Sequence, residues 1–297
     1  MLYRDLSTQE EIDLQYDPVR RVSDPQAFDK IIEQRVVLAR AARREIPGKF
    51  DIPYGPTKIE ALDIYPAQRP KAPIVVFIHG GYWFDGRLTR DKYAWVAKGF
   101  RPHGLATVIP DYAVCPKVTV DEIVRECRAA IAWTYKNAQE FGGDDSRIYV
   151  TGNSAGGHLT AMLAVTDWEG DYGLPRDIIK GGCPISGLYD LAPFPFSWLQ
   201  PKLQLTGAQV LRNSPSLHAR PGLPSMLVSW GAEESEEFHH QSESFAEAWR
   251  KADNEATLLP QQGCNHFSAI AGFADPNSQF CQTVIGHMEK CWKWKGQ

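Results

Sequence analysis

The chain of 297 residues has no long hydrophobic run. Its longest strongly apolar stretch is Ile74-Val75-Val76-Phe77-Ile78, five residues against the ~20 that span a bilayer. Met1-Leu2-Tyr3-Arg4-Asp5-Leu6 is polar and lacks the apolar core of a signal peptide, so the cytoplasm is the expected location. No charge sign dominates. The net charge of −4 argues against a nucleic-acid backbone or an anionic membrane as main partner. The six cysteines, Cys115, Cys127, Cys183, Cys264, Cys281 and Cys291, form no C-x-x-C pair. With no secretory context they are expected as buried or free thiols. Metal-ligand spacing is missing too, because His239 and His240 are adjacent, whereas two ligands on one helix face usually stand four apart. No metal and no cofactor is expected. Neither an internal repeat nor a low-complexity tract is visible.

What the chain has is an ordinary globular composition, 43% hydrophobic and 23% charged, which excludes intrinsic disorder. At this length roughly 75% of the unfolded surface is typically buried, enough for a core without disulfide or metal staples. Residues 1–50 read as a polar N-terminal helical extension. Within it Phe28, Ile31, Ile32, Val36, Val37 and Leu38 fall at helical spacing over 26–44, and Pro47-Gly48 breaks the pattern.

Strands and helices alternate from there. Residues 59–65 alternate apolar and polar like a half-exposed strand, while 73–78 and 105–109 read as strands buried on both faces. A helix is predicted over 88–104. Thr119-Val120-Asp121-Glu122 has the capping-box pattern and predicts a helix start. Its core face would be Val120, Ile123, Val124, Cys127, Ile131 and Trp133 or Thr134, with Gly142-Gly143 ending it. Strands at 147–151, around 178–186, at 225–230 and at 256–260 are interleaved with helices at 155–165, 235–251 and 277–292. This alternation implies an α/β fold, a mainly parallel central sheet flanked by helices in one domain. The exception is 188–223, which holds Pro193, Pro195, Pro201, Pro215 and Pro221 with Phe194, Phe196 and Trp198 among them. A long proline-rich aromatic connection inside a compact domain reads as a lid-like insertion.

Gly152-Asn153-Ser154-Ala155-Gly156 matches G-x-S-x-G, with a β-rich segment before it and a helix-compatible segment after it. That context is a nucleophile elbow, in which a sharp turn lifts the serine hydroxyl above the sheet at a helix N-terminus. His79-Gly80-Gly81-Tyr82-Trp83 follows the buried strand at 74–78. A glycine pair there lets backbone N–H groups face a cleft. The candidate oxyanion donors are the N–H groups of Gly80 or Gly81, with Tyr82 as a further option, and of Ala155. The base should follow the last strand, where His266 sits in Gly263-Cys264-Asn265-His266-Phe267, whereas His287 lies within the closing helix. The acid should follow the strand at 225–230. That turn, Gly231-Ala232-Glu233-Glu234-Ser235, holds no aspartate, and the spacing G-x-x-acid favours Glu234 over Glu233.

The pairing of His79-Gly80-Gly81-Tyr82-Trp83 with Gly152-Asn153-Ser154-Ala155-Gly156-Gly157-His158 resembles the arylformamidase (kynurenine formamidase) branch of the α/β-hydrolases, near the hormone-sensitive-lipase-like esterases. Segments at 15–18, 111–116, 141–144, 166–168, 185–191 and 234–242 look like family segments too, so the likeness spans nearly the whole chain. The resemblance implies an α/β-hydrolase fold and maps the nucleophile onto Ser154, the base onto His266 and the acid onto Glu234. Family members mostly carry Asp at that last position. It also implies hydrolysis of an N-formyl aromatic amine, typified by N-formylkynurenine. The partner would then be a small aromatic amide or ester, and a homodimer is compatible with the reading.

Tyr82 stands where esterase relatives often have a third glycine, and its bulk would narrow the acyl pocket toward formyl. Trp83, Tyr189, Phe194, Phe196 and Trp198 are candidates to enclose an aromatic leaving group. A carboxylesterase acting on small aryl or alkyl esters would use the same apparatus. A ligand-binding protein on a hydrolase fold usually lacks the base, and His266 is present here.

Overall fold

The computed structural model describes residues 1–22 and 26–293. Its elements run α1 (Gln9–Tyr16), α2 (Ala27–Glu45), β1 (Lys49–Pro53), β2 (Ala61–Tyr65), β3 (Ala72–Ile78), α3 (Ala94–Phe100), β4 (Ala106–Pro110), α4 (Val120–Asn137), β5 (Gly143–Asn153) and α5 (Ala155–Ala164). There follow α6 (Trp168–Tyr172), β6 (Ile179–Ile185), α7 (Gln200–Leu203), α8 (Gly207–Arg212), β7 (Ser225–Gly231), α9 (Glu236–Lys251), β8 (Ala256–Gln261) and α10 (Gln279–Lys293). The strands form one sheet in the order β1-β2-β4-β3-β5-β6-β7-β8. β1 and β2 are antiparallel to their neighbours, and β4, β3, β5, β6, β7 and β8 run parallel.

Strand alternation builds two cores on this sheet. In β3, Ile74, Val76 and Ile78 face a layer that includes α1, α4, α5 and α9. Val75 and Phe77 face the opposite layer of α2, α3 and α10. Both faces are covered, which is why the central strands read as continuous apolar runs rather than alternating ones.

Three expectations are corrected. Residues 1–50, read as helical in parts up to the break at Pro47-Gly48, run into a strand that was not expected: Lys49–Pro53 forms the half-exposed edge strand β1, with a proline at its margin where a missing N–H is tolerated. The helix expected over 88–104 is regular only at α3, with 3-10 turns at Arg90–Lys92 and Arg101–His103. Pro102 cannot continue the ladder, and Gly104 closes the turn at φ 80°. At α4 the capping box is half made. Thr119 accepts from the Glu122 N–H, but the Glu122 carboxylate pairs with Arg125 instead. Of the two alternatives for the α4 core face, Thr134 is buried and Trp133 is half-exposed.

Residues 188–223 form a packed layer of short helical turns. Leu188, Leu191, Phe194, Leu199 and Leu203 sit in the core, and Phe196 is exposed. No described helix is long and apolar enough to cross a membrane.

Candidate active site

The candidate residues lie at the C-terminal ends of the parallel strands. Ser154 follows β5 at φ 58° and ψ −122°, a strained conformation for a residue with a Cβ. Its N–H donates to the Ile185 carbonyl at 2.8 Å, and α5 starts at the next residue. Gly156 is obligatory in this turn, because a Cβ there would lie 2.0 Å from the Ile78 carbonyl oxygen. The same close approach brings the 79–83 loop onto the serine: a Cβ on Gly80 would lie 2.8 Å from the Asn153 carbonyl and 3.1 Å from Ser154 Cβ.

That loop is itself strained. Gly81, Tyr82 and Trp83 have φ of 130°, 51° and 61°, a region that bulky residues rarely occupy. The loop is held by Phe84 and Asp85 N–H groups donating to Gly81 O and by Cys115 N–H donating to Trp83 O. The N–H groups of Gly80, Gly81 and Tyr82 meet no backbone acceptor among the described residues. The N–H of Ala155 lies in the first turn of α5, where no intrahelical acceptor exists.

Glu234 follows β7 and His266 follows β8. Glu234 Oε2 lies 2.7 Å from His266 Nδ1, and both residues are buried. Glu234 Oε1 accepts from Gly231 N–H at 2.7 Å and from the Ser186 hydroxyl. Glu233 is exposed. The structure thus separates two carboxylates that the sequence left as neighbours, and only Glu234 is paired with His266. The His266 ring rests against Phe238 of α9 at 4.7 Å. No hydrogen bond links Ser154 Oγ to His266 Nε2 in this conformation, a contact that commonly tightens only with substrate bound.

The aromatic candidates divide. Tyr82 is edge-on to Trp198 at 5.3 Å, and Trp198 is half-buried and edge-on to Phe84. The Tyr82 hydroxyl donates to Asp17 Oδ1 at 3.4 Å, and burial raises its pKa well above 10. Trp83 and Tyr189, expected to touch substrate, are instead 0% exposed. The Trp83 indole N–H donates to His158, and Tyr189 stacks on Phe245 at 4.2 Å. They pack behind the site, as does Phe194.

Sequence reasoning missed several supports. Ser186, the polar end of an apolar strand, was one signal left unread. The N-terminal helix α1 was another. Gln15 O accepts from Ser235 Oγ, Asp13 Oδ1 accepts from Trp198 N–H at 2.8 Å, and Tyr16 donates to Glu237 at 2.9 Å. The N-terminus therefore ties together the acid turn, α9 and the 188–223 layer. Among the described residues no cluster of three or more His, Cys, Asp or Glu could hold a metal ion.

An eight-stranded, mostly parallel sheet with a strained serine between strand and helix defines the α/β-hydrolase class. A hyperthermophilic esterase from the archaeon Pyrobaculum calidifontis shares the fold at a TM-score of 0.73 and 18% identity, over 92% of this chain and 96% of its own. The BD-FAE family profile matches residues 62–176, which include both the 79–83 loop and the elbow. The kynurenine formamidase of Danio rerio is 31% identical over 281 residues, covering 91% of this chain and 93% of its own. Over a shorter stretch of 121 residues, 40% of this chain and 34% of its own, the carboxylesterase NlhH of Mycobacterium tuberculosis (strain H37Rv) is 37% identical. The protein is a hydrolase, and it belongs to the kynurenine formamidase family.

Proposed function

We propose that the protein hydrolyses the small acyl amide of an aromatic amine, of the N-formylkynurenine type, through Ser154, His266 and Glu234. The observation that carries the reading is the buried Glu234–His266 pair at 2.7 Å, on the two strand-end turns that share the sheet edge with the elbow serine. Ser154 Oγ attacks the formyl carbon while His266 Nε2 takes its proton. The oxyanion is received by the N–H of Ala155 and that of Gly80 or Gly81, with Tyr82 N–H as a further donor. His266 then gives the proton to the amine nitrogen as the C–N bond breaks, leaving a formyl-enzyme. Water, deprotonated by the same imidazole, releases formate. Glu234 holds the imidazole tautomer and stabilises the imidazolium.

An aryl amine is weakly basic and so a comparatively good amide leaving group, within reach of an esterase apparatus. Tyr82 in the oxyanion loop, backed by Trp198, supports a short acyl group. The relatedness to the Danio rerio enzyme supports the formamide substrate. A second reading, a carboxylesterase on small esters, draws on the stretch shared with NlhH.

A parallel assay of N-formylkynurenine and p-nitrophenyl acetate separates the two. Formamide turnover at a kcat/KM equal to or above that for the ester is expected. Fast ester hydrolysis with no formate release would replace the first reading by the second. In either case Ser154→Ala should lower kcat by roughly 10⁴-fold, because the hydroxyl and its base act as a unit.

A further inference from the structure

Ser186 stands directly after β6 with φ 49°, fully buried, its N–H donating to Ser229 O at 2.7 Å. A left-handed backbone is costly for a residue with a Cβ. The next residue, Gly187, would carry it freely, yet the strain falls on the serine. Among the described residues, the one hydrogen bond of the Ser186 hydroxyl runs to Glu234 Oε1. That oxygen also takes Gly231 N–H at 2.7 Å, and Oε2 is left to His266 Nδ1 at 2.7 Å.

The two carboxylate oxygens are thus divided between tasks. Gly231, the last residue of β7, lies three residues before Glu234 and opens the same turn. Ser186 comes from the neighbouring strand end and gives the carboxylate a fixed reference outside that turn. A glutamate needs such a reference more than an aspartate, because it has one more rotatable bond and its terminal torsion is broad.

We propose that Ser186 is a positioning residue. It fixes the rotation of the Glu234 carboxylate so that Oε2 stays on the imidazole. The proposal rests on the reading of Ser154, His266 and Glu234 as the catalytic set. Its strained backbone is the means by which the hydroxyl reaches the carboxylate.

The test compares Ser186→Ala, Ser186→Gly, Glu234→Gln and the double variant Ser186→Ala/Glu234→Gln, with kcat, KM and Tm read for each on p-nitrophenyl acetate and N-formylkynurenine. Both Ser186 variants should lose about 10- to 100-fold in kcat, the range that a hydrogen bond to a charged group commands, with KM changed less than about 2-fold. Ser186→Gly should keep or raise Tm relative to Ser186→Ala, because glycine accepts the positive φ. Equal activity loss in two variants of different Tm separates the lost hydroxyl from lost stability. In the Glu234→Gln background the further Ser186→Ala change should cost less than about 3-fold, since residues in one network are not additive. A wild-type kcat in Ser186→Gly beside an impaired Glu234→Gln would overturn the proposal, and so would full additivity in the double variant. A fully active Glu234→Gln would instead remove the catalytic reading beneath it.

Discussion

The Trp83 indole N–H donates to His158 Nδ1 at 3.0 Å, and His158 Nε2 stands 2.8 Å from the Asn213 carbonyl. One ring thereby joins three pieces of chain: the strained 79–83 loop, the serine's helix α5 and the 188–223 layer. The two partners fix the tautomer, because Nδ1 must accept and Nε2 must carry the proton. A second proton would face the Trp83 N–H donor to donor. Burial works in the same direction and pushes the His158 pKa down to about 4.

His287 behaves alike on the far face of the sheet. It packs within α10 between the Tyr149 hydroxyl at 2.6 Å and Ser225 Oγ at 3.0 Å, and burial, with Lys290 nearby, lowers it to about 4. In the unfolded chain both imidazoles titrate near 6.5. Between pH 6.5 and 4 the unfolded state therefore binds more protons than the fold, so stability falls as pH falls through that window. Above 6.5 both states are neutral and the contribution is fully present. Each ring accounts for roughly 3 kcal/mol across the window. Urea midpoints at pH 7 and pH 5 should show the fall. His287→Asn should be less stable at pH 7 but lose less on acidification, and an unchanged pH slope in that variant would count against the assignment.

Glu234 and Glu233 are adjacent in the chain and opposite in environment, one buried on His266 and the other in solvent. Glu234→Gln should reduce kcat by about 10⁴-fold while leaving the fold intact, the size of effect seen when a triad acid loses its charge. Glu233→Gln should stay within about 3-fold of wild type, as surface changes do. Comparable losses in the two variants, with Tm unchanged, would show that the carboxylates are not distinguished by this contact.

The α/β architecture was legible because alternation at period 2 and 3.6 survives where a residue is either in or out of a core. α4 and α9 follow that rule with one buried face each, while β3 and β4, covered on both sides, stood out as continuous apolar runs instead. The edge strand β1 escaped because one face is open to solvent and its five residues carry little apolar signal. The elbow and His266 were legible because local turn chemistry demands small residues around them. Ser186, His158 and Tyr16 were not, since each acts through a partner far along the chain: 48 residues for Ser186–Glu234, 75 for Trp83–His158 and 221 for Tyr16–Glu237. Such pairings have no sequence period. Trp83 and Tyr189, expected to line the pocket, are buried for a related reason, because an aromatic residue in a motif looks the same whether it lines a pocket or braces one.

Tyr16 is the point where the N-terminus meets the site. Its hydroxyl donates to Glu237 at 2.9 Å and accepts from Gln241 at 3.1 Å, while its ring lies against Phe194 and against Phe238, the residue that backs His266. Tyr16→Phe keeps the ring contacts but takes one hydrogen bond from the buried Glu237 carboxylate, which keeps Arg4, and one from Gln241, whose amide still donates to Asp190 O. A loss of about 1–3 kcal/mol in unfolding free energy is expected, from urea titration. A neutral result would mean that water replaces the hydroxyl at no cost and that α1 is held by its apolar face alone.

Tyr82 offers a reading of acyl preference. It sits in the 79–83 loop at φ 51°, pinned by Asp17 and Trp198, so its ring is not free to swing aside for a longer chain. With a fixed aryl leaving group, formyl and acetyl substrates should react much faster than butyryl or longer ones. Tyr82→Gly should relax that preference, because each methylene admitted or refused by a pocket is worth ~1–3 kcal/mol. Glycine also tolerates the positive φ, so the loop is under less strain in the variant than in the wild type. All rates can still fall together if the oxyanion donors shift. The informative quantity is therefore the ratio of kcat/KM between acyl chains, which a general loss of oxyanion stabilisation leaves unchanged. A wild-type enzyme that prefers butyryl or hexanoyl esters to acetyl and formyl substrates would sink the short-acyl reading and favour the carboxylesterase.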